Sequence, residues 1–256
     1  MPRASPLRTW IAAALALYLG FACAPARAAT AFSDWAAVFV AGDWHAHSGK
    51  PSEAFDNARL DVGKEFVDAG FAPEHIRQFS VRPDRYADHP LESRPALVGQ
   101  QLADLAIRAR SGCLFYMTSH GAPDSVVFGP RMFPPEGMAR LVDDACGARP
   151  TVVILSACFS GIFVPALAKP DRMILTAARP DRTSFGCGES DRYPYFDACM
   201  VQSLPQANDF IQLADRVKGC VAAKEKSTGM SPPSEPQLWI GADLRPKLPF
   251  LTFMRR

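Results

Sequence analysis

Residues 151–161, TVVILSACFSG, run from a mostly apolar hexapeptide into a Ser-Ala-Cys turn and then to a glycine. A short apolar run that ends at turn residues is typical of a strand buried on both faces of a parallel sheet. Cys158, where this run ends, could be a packed core thiol, half of a disulfide, a metal ligand or a nucleophile. The choice among these depends on the rest of the chain.

Apolar runs of similar length recur along the chain, and helical patterns separate them. The runs are WAAVFVAGD (residues 35–43), EHIRQFSV (74–81), CLFYMTSHG (113–121) and RMILTAA (172–178). Between them, apolar residues recur at intervals of three and four, in segments that end at Gly70, end at Gly112 or begin at Pro135. Strands that alternate with helices predict an α/β fold, in which helices cover both faces of a mostly parallel sheet.

The remaining segments complete this pattern. DSVVFGPRMF (residues 124–133) predicts a hairpin that turns at Gly-Pro, and PQLWIGAD (236–243) predicts a last strand. Two further helices are expected at roughly 195–204 and 208–223. Because no linker is long enough to divide the chain, residues 29–256 are predicted to form a single domain.

The first 28 residues have the features of a signal peptide. Arg3 and Arg8 precede an apolar core, WIAAALALYLGFA, and ARA at residues 26–28 offers a cleavage site. The apolar core is shorter than the roughly 20 residues that a membrane span needs, so no stable membrane span is expected. We therefore predict a secreted or periplasmic protein, with a lipoprotein attached through Cys23 as the alternative.

Composition and charge narrow the class of protein. Hydrophobic residues make up 48% of the chain and charged residues 21%, which is typical of a globular protein with a packed core. Removing residues 1–28 takes away three arginines and no acidic residue, so the formal net charge changes from +2 to −1. This balance supplies no electrostatic reason to expect nucleic acid as a partner.

Reactive side chains follow two of the predicted strands. Ser119, His120 and Gly121 follow one strand, and Cys158 follows another. In a parallel sheet, ligands gather at the carboxyl ends of the strands, so both turns face one crevice if the strands are neighbours. A thiolate is a nucleophile that a nearby imidazole can activate. Taken singly, a packed thiol and a satisfied histidine are the commoner explanations.

These residues carry a resemblance to a known family. FYMTSHGAPDSVVFG (residues 115–129) followed by VVILSACFSG (152–161) resembles the peptidase C13 family, the legumain-like cysteine peptidases of the caspase-like clan. The resemblance extends to VFVAGD (38–43), FDNARLDV (55–62) and ILTAARPDRTSFGC (174–187). It implies a caspase-like three-layer α/β/α sandwich and a Cys-His catalytic dyad.

The resemblance also implies roles for particular residues. Cys158 matches the nucleophile and His120 the base, and the N–H groups of Gly121 and Cys158 match the oxyanion hole. Ser184 matches the pocket for the residue before the scissile bond (P1), and Asp197 falls near another pocket position. Asp43 follows the first strand, where the family has a catalytic Asn, and is grouped with the substrate-binding candidates.

One residue departs from the family pattern. Members that cleave after Asn carry an acidic residue directly after the nucleophile, and this chain has Phe159 there. The departure bears on the choice of P1 residue and not on the dyad.

Six cysteines remain once Cys23 is removed with the leader. Neighbouring parallel strands would bring Cys113 and Cys146 to the edge of the sheet opposite the reactive turns, which predicts a disulfide between them. A second pair, Cys199–Cys220, is predicted between the two late helices. Cys158 and Cys187 then stay free, because a bridge between these two would block the nucleophile.

DWHAH, residues 43–47, offers two histidines and an aspartate as an alternative metal site. Catalytic zinc normally needs three protein ligands, and the other histidines have no telling spacing, so a polar loop at the rim of the crevice is the preferred interpretation. No metal and no cofactor are expected.

The predicted function is therefore an exported cysteine endopeptidase that acts on peptides or proteins, cleaving after Asn or Asp. A transpeptidase or transamidase that uses the same site is a close alternative. A non-catalytic binding protein of the same fold, or a metal-dependent hydrolase built on DWHAH, are the alternatives from other classes.

Overall fold

The computed structural model describes residues 1 and 30–254. The predicted signal peptide, apart from Met1, lies outside these residues. The strands of the described chain are β1 Trp35–Ala41, β2 Ile76–Ser80, β3 Leu91–Glu92, β4 Gly112–Thr118, β5 Gly121–Ala122, β6 Ser125–Phe128, β7 Arg131–Phe133, β8 Thr151–Ser156, β9 Arg172–Thr176 and β10 Gln237–Ile240. The helices are α1 Ala54–Asp68, α2 Pro95–Arg108, α3 Pro135–Cys146, α4 Val164–Leu167, α5 Tyr195–Ser203 and α6 Phe210–Thr228.

Seven strands form one sheet in the order β10-β9-β8-β4-β1-β2-β3. All neighbours are parallel except β10, which runs antiparallel to β9. β5, β6 and β7 form a small antiparallel sheet that contains the predicted hairpin. The prediction of an α/β fold with a mostly parallel sheet is confirmed.

Helices cover both faces of the large sheet and define two cores. One core joins the sheet to α1, α5 and α6, and the other joins it to α2, α3 and α4. Along β4, Leu114 and Tyr116 face the first core, whereas Phe115 and Met117 face the second. The two-residue period of a strand sends alternate side chains to opposite faces, so a strand buried on both faces must be apolar throughout.

Two helix ends differ from the predictions. Gly112 does not close α2, which ends at Arg108; instead it opens β4, where the ring of Trp35 leaves no space for a side chain. α6 continues to Thr228, beyond the predicted end, and ends where Gly229 adopts the left-handed conformation that favours glycine, with φ of 71°. No helix in the described part of the chain is both long and apolar enough to cross a membrane.

The predicted disulfides are confirmed. Cys113 in β4 is bonded to Cys146 at the end of α3, with Cα atoms 6.1 Å apart, and Cys199 is bonded to Cys220, with Cα atoms 5.7 Å apart. The first bond joins the sheet to α3, and the second joins α5 to α6. Cys158 and Cys187 are free.

Candidate active site

The two reactive turns lie next to each other because β4 and β8 are neighbours in register. Thr118, the last residue of β4, lies opposite Ser156, the last residue of β8. His120 and Cys158 each follow two residues later. Parallel strands aligned in this way bring their carboxyl ends, and the turns that follow, to the same edge of the sheet.

Gly121 and Cys158 are in direct backbone contact. A Cβ atom on Gly121 would collide with the carbonyl oxygen of Cys158 and lie 3.1 Å from its nitrogen. Only a residue without a side chain allows so close an approach. The absence of a side chain at Gly121 thus lets the histidine turn lie against the cysteine turn, while its role in an oxyanion hole stays a prediction.

The N–H of Gly121 points away from the small sheet. Val127 N donates to His120 O over 2.9 Å, so these two residues form a hydrogen-bonded pair of the antiparallel ladder. The next pair, Gly121 and Val126, is then a non-hydrogen-bonded pair, whose N–H groups point outward. The ladder thus leaves the Gly121 N–H without a partner strand, and its donation to an oxyanion stays a prediction.

His120 is held in one orientation by its second ring nitrogen. Its Nε2 lies 3.0 Å from the carbonyl oxygen of His45, and its ring packs edge-on against Phe55 with centroids 5.0 Å apart. Because a carbonyl oxygen can only accept, Nε2 carries the proton and Nδ1 is the basic nitrogen. The ring is half-buried at the end of β4.

Asp43 organises the turn that presents this carbonyl. Its Oδ1 accepts hydrogen bonds from the backbone N–H groups of Trp44 and His45 and lies 2.7 Å from Nδ1 of His45. The side chain of Asp43 is thus engaged within its own turn, behind His120. A direct contact between Asp43 and a substrate stays a prediction.

Two atoms of Ser184 lie close to the sulfur of Cys158. The backbone N–H of Ser184 donates to Sγ over 3.3 Å, and its hydroxyl oxygen lies 3.6 Å from the same sulfur. An N–H aimed at the sulfur complements negative charge there. Ser184 therefore lies beside the candidate nucleophile, while the P1-pocket role implied by the resemblance stays a prediction.

Residues 159–161, directly after Cys158, contact the loop that carries Ser184. Phe159 N donates to Arg182 O over 2.7 Å, and the buried Ser160 hydroxyl accepts from Ala178 N over 3.1 Å. Gly161 packs so tightly that a Cβ atom would lie 2.6 Å from the nitrogen of Pro180. The CFSG segment thus joins the cysteine turn to residues 178–184.

Phe159 has a backbone conformation that L-residues rarely adopt. Its φ is 57°, in the left-handed region, and its side chain is half-buried. A strained residue directly after a reactive side chain is common at functional sites, where the surrounding contacts hold it in place. Here the hydrogen bond to Arg182 is such a contact.

Asp197 lies beneath the two strand ends. Its carboxylate is fully buried in the first turn of α5 and accepts hydrogen bonds from Tyr116 Oη (2.6 Å), Thr118 Oγ1 (2.7 Å) and Ser156 Oγ (2.9 Å). It therefore links α5 to β4 and to β8 at the aligned pair that precedes the reactive turns. The substrate-binding role implied by the resemblance stays a prediction, and the contacts observed are to the scaffold.

Burial governs the ionisation of this carboxyl group. Desolvation raises the pKa of Asp197 to about 6, and the three hydroxyl donors act in the opposite direction. Burial, together with the charge of Asp197, raises the pKa of Tyr116 well above its ordinary value. The hydroxyl of Tyr116 therefore stays a hydrogen-bond donor throughout the physiological range.

Two loops face each other beside the cysteine turn. His47 N donates to Cys187 O over 3.1 Å, and the Ser52 hydroxyl lies 3.2 Å from Gly188 O. These bonds join residues 44–52 to residues 182–191. Burial first, then the negative charges of Cys158 and Asp191, raise the pKa of Cys187 to about 11.

The histidines of the DWHAH segment do not converge as a metal site would require. His45 Nδ1 contacts Asp43, the ring of His45 packs at a tilt against Trp44 with centroids 3.8 Å apart, and His47 is exposed. Residues 30–254 contain no group of three or more His, Cys, Asp or Glu side chains placed to hold a metal ion.

Several contributors to the site had no clear signal in the sequence. The His45 carbonyl and the Arg182 carbonyl are backbone atoms, which any residue type supplies. Thr118 and Ser156 were visible as polar residues at the ends of apolar strands, but nothing local indicated that they share Asp197 as a partner.

Comparisons with known proteins identify the family and the fold. A model of the peptidase C13 family matches residues 103–241, more than half of the chain. A crystal structure of caspase-1 from Spodoptera frugiperda is 16% identical with a TM-score of 0.60, over 83% of this chain and 88% of that chain. A structure of pro-sf-caspase-1 is also 16% identical, with a TM-score of 0.57 over 80% and 90%. These two similarities concern the fold. No curated protein matches the chain by sequence.

The raised pKa of Asp197 predicts how stability depends on pH. Between pH 6 and pH 4 the folded protein binds a proton that the unfolded chain does not, so the free energy of unfolding should rise as the pH falls through this window. A shift from 3.8 to about 6 corresponds to roughly 3 kcal/mol. Urea unfolding of the wild type and of Asp197→Asn at each pH isolates this contribution. A wild-type-minus-variant difference that is independent of pH would contradict it.

Proposed function

Because the chain belongs to the peptidase C13 family of cysteine peptidases, we propose that Cys158 and His120 form the dyad with which it hydrolyses peptide bonds. The observation that carries the proposal is the contact of Gly121 with the backbone of Cys158. This contact supports the proposal because it holds the turn of the proposed base against the turn of the proposed nucleophile, at the shared end of β4 and β8. Acyl transfer through a thiol requires a base beside its nucleophile.

The proposed reaction begins with a proton transfer from Cys158 to Nδ1 of His120. The thiolate attacks the carbonyl carbon of the scissile peptide bond, and the N–H groups of Gly121 and Cys158 donate to the oxyanion that forms. His120 then gives its proton to the leaving amine as the C–N bond breaks, which leaves a thioester on Cys158. Water, deprotonated by His120, hydrolyses the thioester and restores the thiol.

The role of His120 follows from the bond made by its other nitrogen. With Nε2–H donating to the His45 carbonyl, the ring cannot rotate or exchange tautomers without losing that bond. The same carbonyl stabilises the imidazolium that forms when Nδ1 accepts a proton. The Asp43 turn thus supports catalysis through the position of a backbone atom.

The two free cysteines have different surroundings. With a pKa of about 11, Cys187 stays a thiol at neutral pH and is a poor nucleophile. Cys158, which has the Ser184 N–H aimed at its sulfur, is assigned the reaction.

The first prediction concerns the dyad. Cys158→Ala and His120→Ala should each lower kcat on a peptide substrate by about three orders of magnitude or more, because the nucleophile or its base is lost. The matched control Cys187→Ala, which removes the other free thiol, should stay within a fewfold of wild type. Iodoacetamide at pH 7 should label Cys158 before Cys187, as read by peptide mass mapping.

Inactivation by a chelator instead of iodoacetamide would rule out the thiol mechanism. Full activity of Cys158→Ala, or loss of activity in Cys187→Ala alone, would show that the nucleophile has been wrongly assigned.

We further propose cleavage after Asn or Asp, with the P1 side chain entering between residues 44–52 and 182–191. Support comes from the position of Ser184 beside Sγ and from the bonds that hold the two loops together. Phe159 replaces the acidic residue of the Asn-cleaving members, so these loops, and not the residue after Cys158, would select the side chain.

Cleavage-site profiling on a denatured proteome tests this specificity. Cuts should cluster after Asn or Asp, and Ser184→Ala should raise KM more than it lowers kcat. Clustering after another residue type would overturn the specificity and leave the dyad intact. Addition of glycinamide distinguishes hydrolysis from transamidation, because only transamidation leaves the amine on the new C terminus.

Export is the remaining part of the proposal. Two disulfides persist most readily in an oxidising compartment, and residues 1–28 have the features of a cleavable leader. A secreted or periplasmic chain should begin at Ala29 and contain two free thiols when it is not reduced. Intact mass and N-terminal sequencing measure both. An Ala26→Asp/Ala28→Asp control should retain the leader, and a wild-type product that also retains it would contradict the proposal.

A further inference from the structure

A groove of about 940 Å³ lies on the outer side of the α2–α3 layer. It is bounded by the first half of α2, by β7 with the turn before it, and by α3. None of the residues assigned to the active site lines it. Its volume is within the range of pockets that bind ligands in other proteins.

The floor of the groove is apolar. Met132 is 53% exposed at the surface of β7, and Phe133 and Leu141 are half-buried beside it. α2 contributes Ala96 and Ala103, small residues that keep the groove open. One turn beyond Ala103, Ile107 is 65% exposed and extends the apolar face of α2 past the end of the groove. Exposed apolar surface of this kind, within a polar rim, is typical of an interaction site.

The rim of the groove is basic. Arg94, Arg131 and Arg140 are exposed along it, whereas Asp144 is the one acidic residue among those that line it. Arg94 pairs with Glu92 over 2.9 Å. Arg131 and Arg140 form no ion pair within residues 30–254, so their charges are available to a ligand. The ligand chemistry that complements such a groove is a segment with acidic and apolar side chains.

The groove is connected to the active site through the small sheet. β7, which carries Arg131 and Met132, pairs with β6, and β6 pairs with β5, which begins at Gly121. The N–H of Val127 in β6 also donates to the His120 carbonyl. A protein segment seated on β7 is therefore held on the same rigid scaffold as the oxyanion donor.

We propose that this groove is an exosite, which binds an acidic segment with apolar side chains in the protein substrates of the peptidase. A protein substrate can contact the groove and the active site at the same time. Binding in the groove would then raise the effective concentration of its scissile bond at the active site. The proposal rests on the proposed function for the identity of the occupant, and on charge and apolar surface alone for its chemistry.

The binding test uses the mature chain with Cys158→Ala, which cannot cleave the probe. The probe is a fluorescein-labelled peptide of Glu and Leu, and two control peptides replace every Glu by Lys or every Leu by Ser. Fluorescence anisotropy should show saturable binding of the Glu/Leu probe alone, which weakens as salt increases. Arg131→Glu/Arg140→Glu should weaken binding by about fivefold or more.

A matched control separates the groove from net charge. Arg216→Glu/Lys226→Glu makes the same change in charge on α6, in the opposite layer, and should leave probe binding unchanged. Ala103→Trp fills the groove without changing charge and should abolish binding. Equal binding by wild type and both groove variants, or equal loss in the α6 control, would overturn the proposal.

A kinetic test identifies the occupant. A short peptide substrate is compared with the same substrate joined through a flexible linker to the Glu/Leu segment. The joined substrate should show a lower KM with wild type, and the difference should disappear in Arg131→Glu/Arg140→Glu, while turnover of the short substrate stays the same. Equal KM for the two substrates would overturn the exosite.

Failure of wild type to cleave even the short substrate would count against the proposed function, whereas binding by the Cys158→Ala chain is read separately. If wild type forms dimers without the probe and Ala103→Trp does not, the occupant of the groove is instead a second copy of the chain.

Discussion

The hydrogen-bonded register between β4 and β8 is the constraint on which the rest of the site depends. It places Thr118 opposite Ser156, and so sets His120 and Cys158 at equal distances beyond the sheet edge. A shift of one residue would turn every side chain of a strand towards the wrong core. Both cores are close-packed and apolar, so the register is strongly specified, and the positions of the two reactive turns follow from it.

Asp197 reinforces this alignment at an electrostatic cost. A buried carboxylate is unfavourable unless it is well hydrogen-bonded, and three hydroxyl groups from β4 and β8 offset part of that cost. The helix that carries it is bonded to α6 through Cys199 and Cys220. Asp197 therefore binds the ends of β4 and β8. The disulfide at Cys199, two residues further along α5, joins the same helix to α6.

The turns above the sheet are held mainly by backbone atoms. The His45 carbonyl orients His120, the Arg182 carbonyl holds Phe159, and Gly121 lies against Cys158 itself. Such contacts are specific because peptide geometry leaves few alternatives, and they demand little of the side chains in the connecting loops. The positions of His120, Phe159 and Gly121 therefore depend little on the side chains of the loops that contact them.

The sequence by itself determined the order of strands and helices, the parallel sheet, both disulfide pairs and the two strand ends that carry His120 and Cys158. Most of these features have periodic or local signals: apolar runs, three-and-four spacing, and a reactive side chain just after an apolar run. The order in which the strands lie across the sheet, the His45 carbonyl behind His120 and the burial of Asp197 were decided by the tertiary structure alone. Asp197 lies 79 residues from Thr118 and 41 from Ser156, and a hydrogen bond across such distances leaves no pattern in either segment. The groove between α2, β7 and α3 was hidden for the same reason, since its floor and its arginines come from three separate elements that only packing brings together.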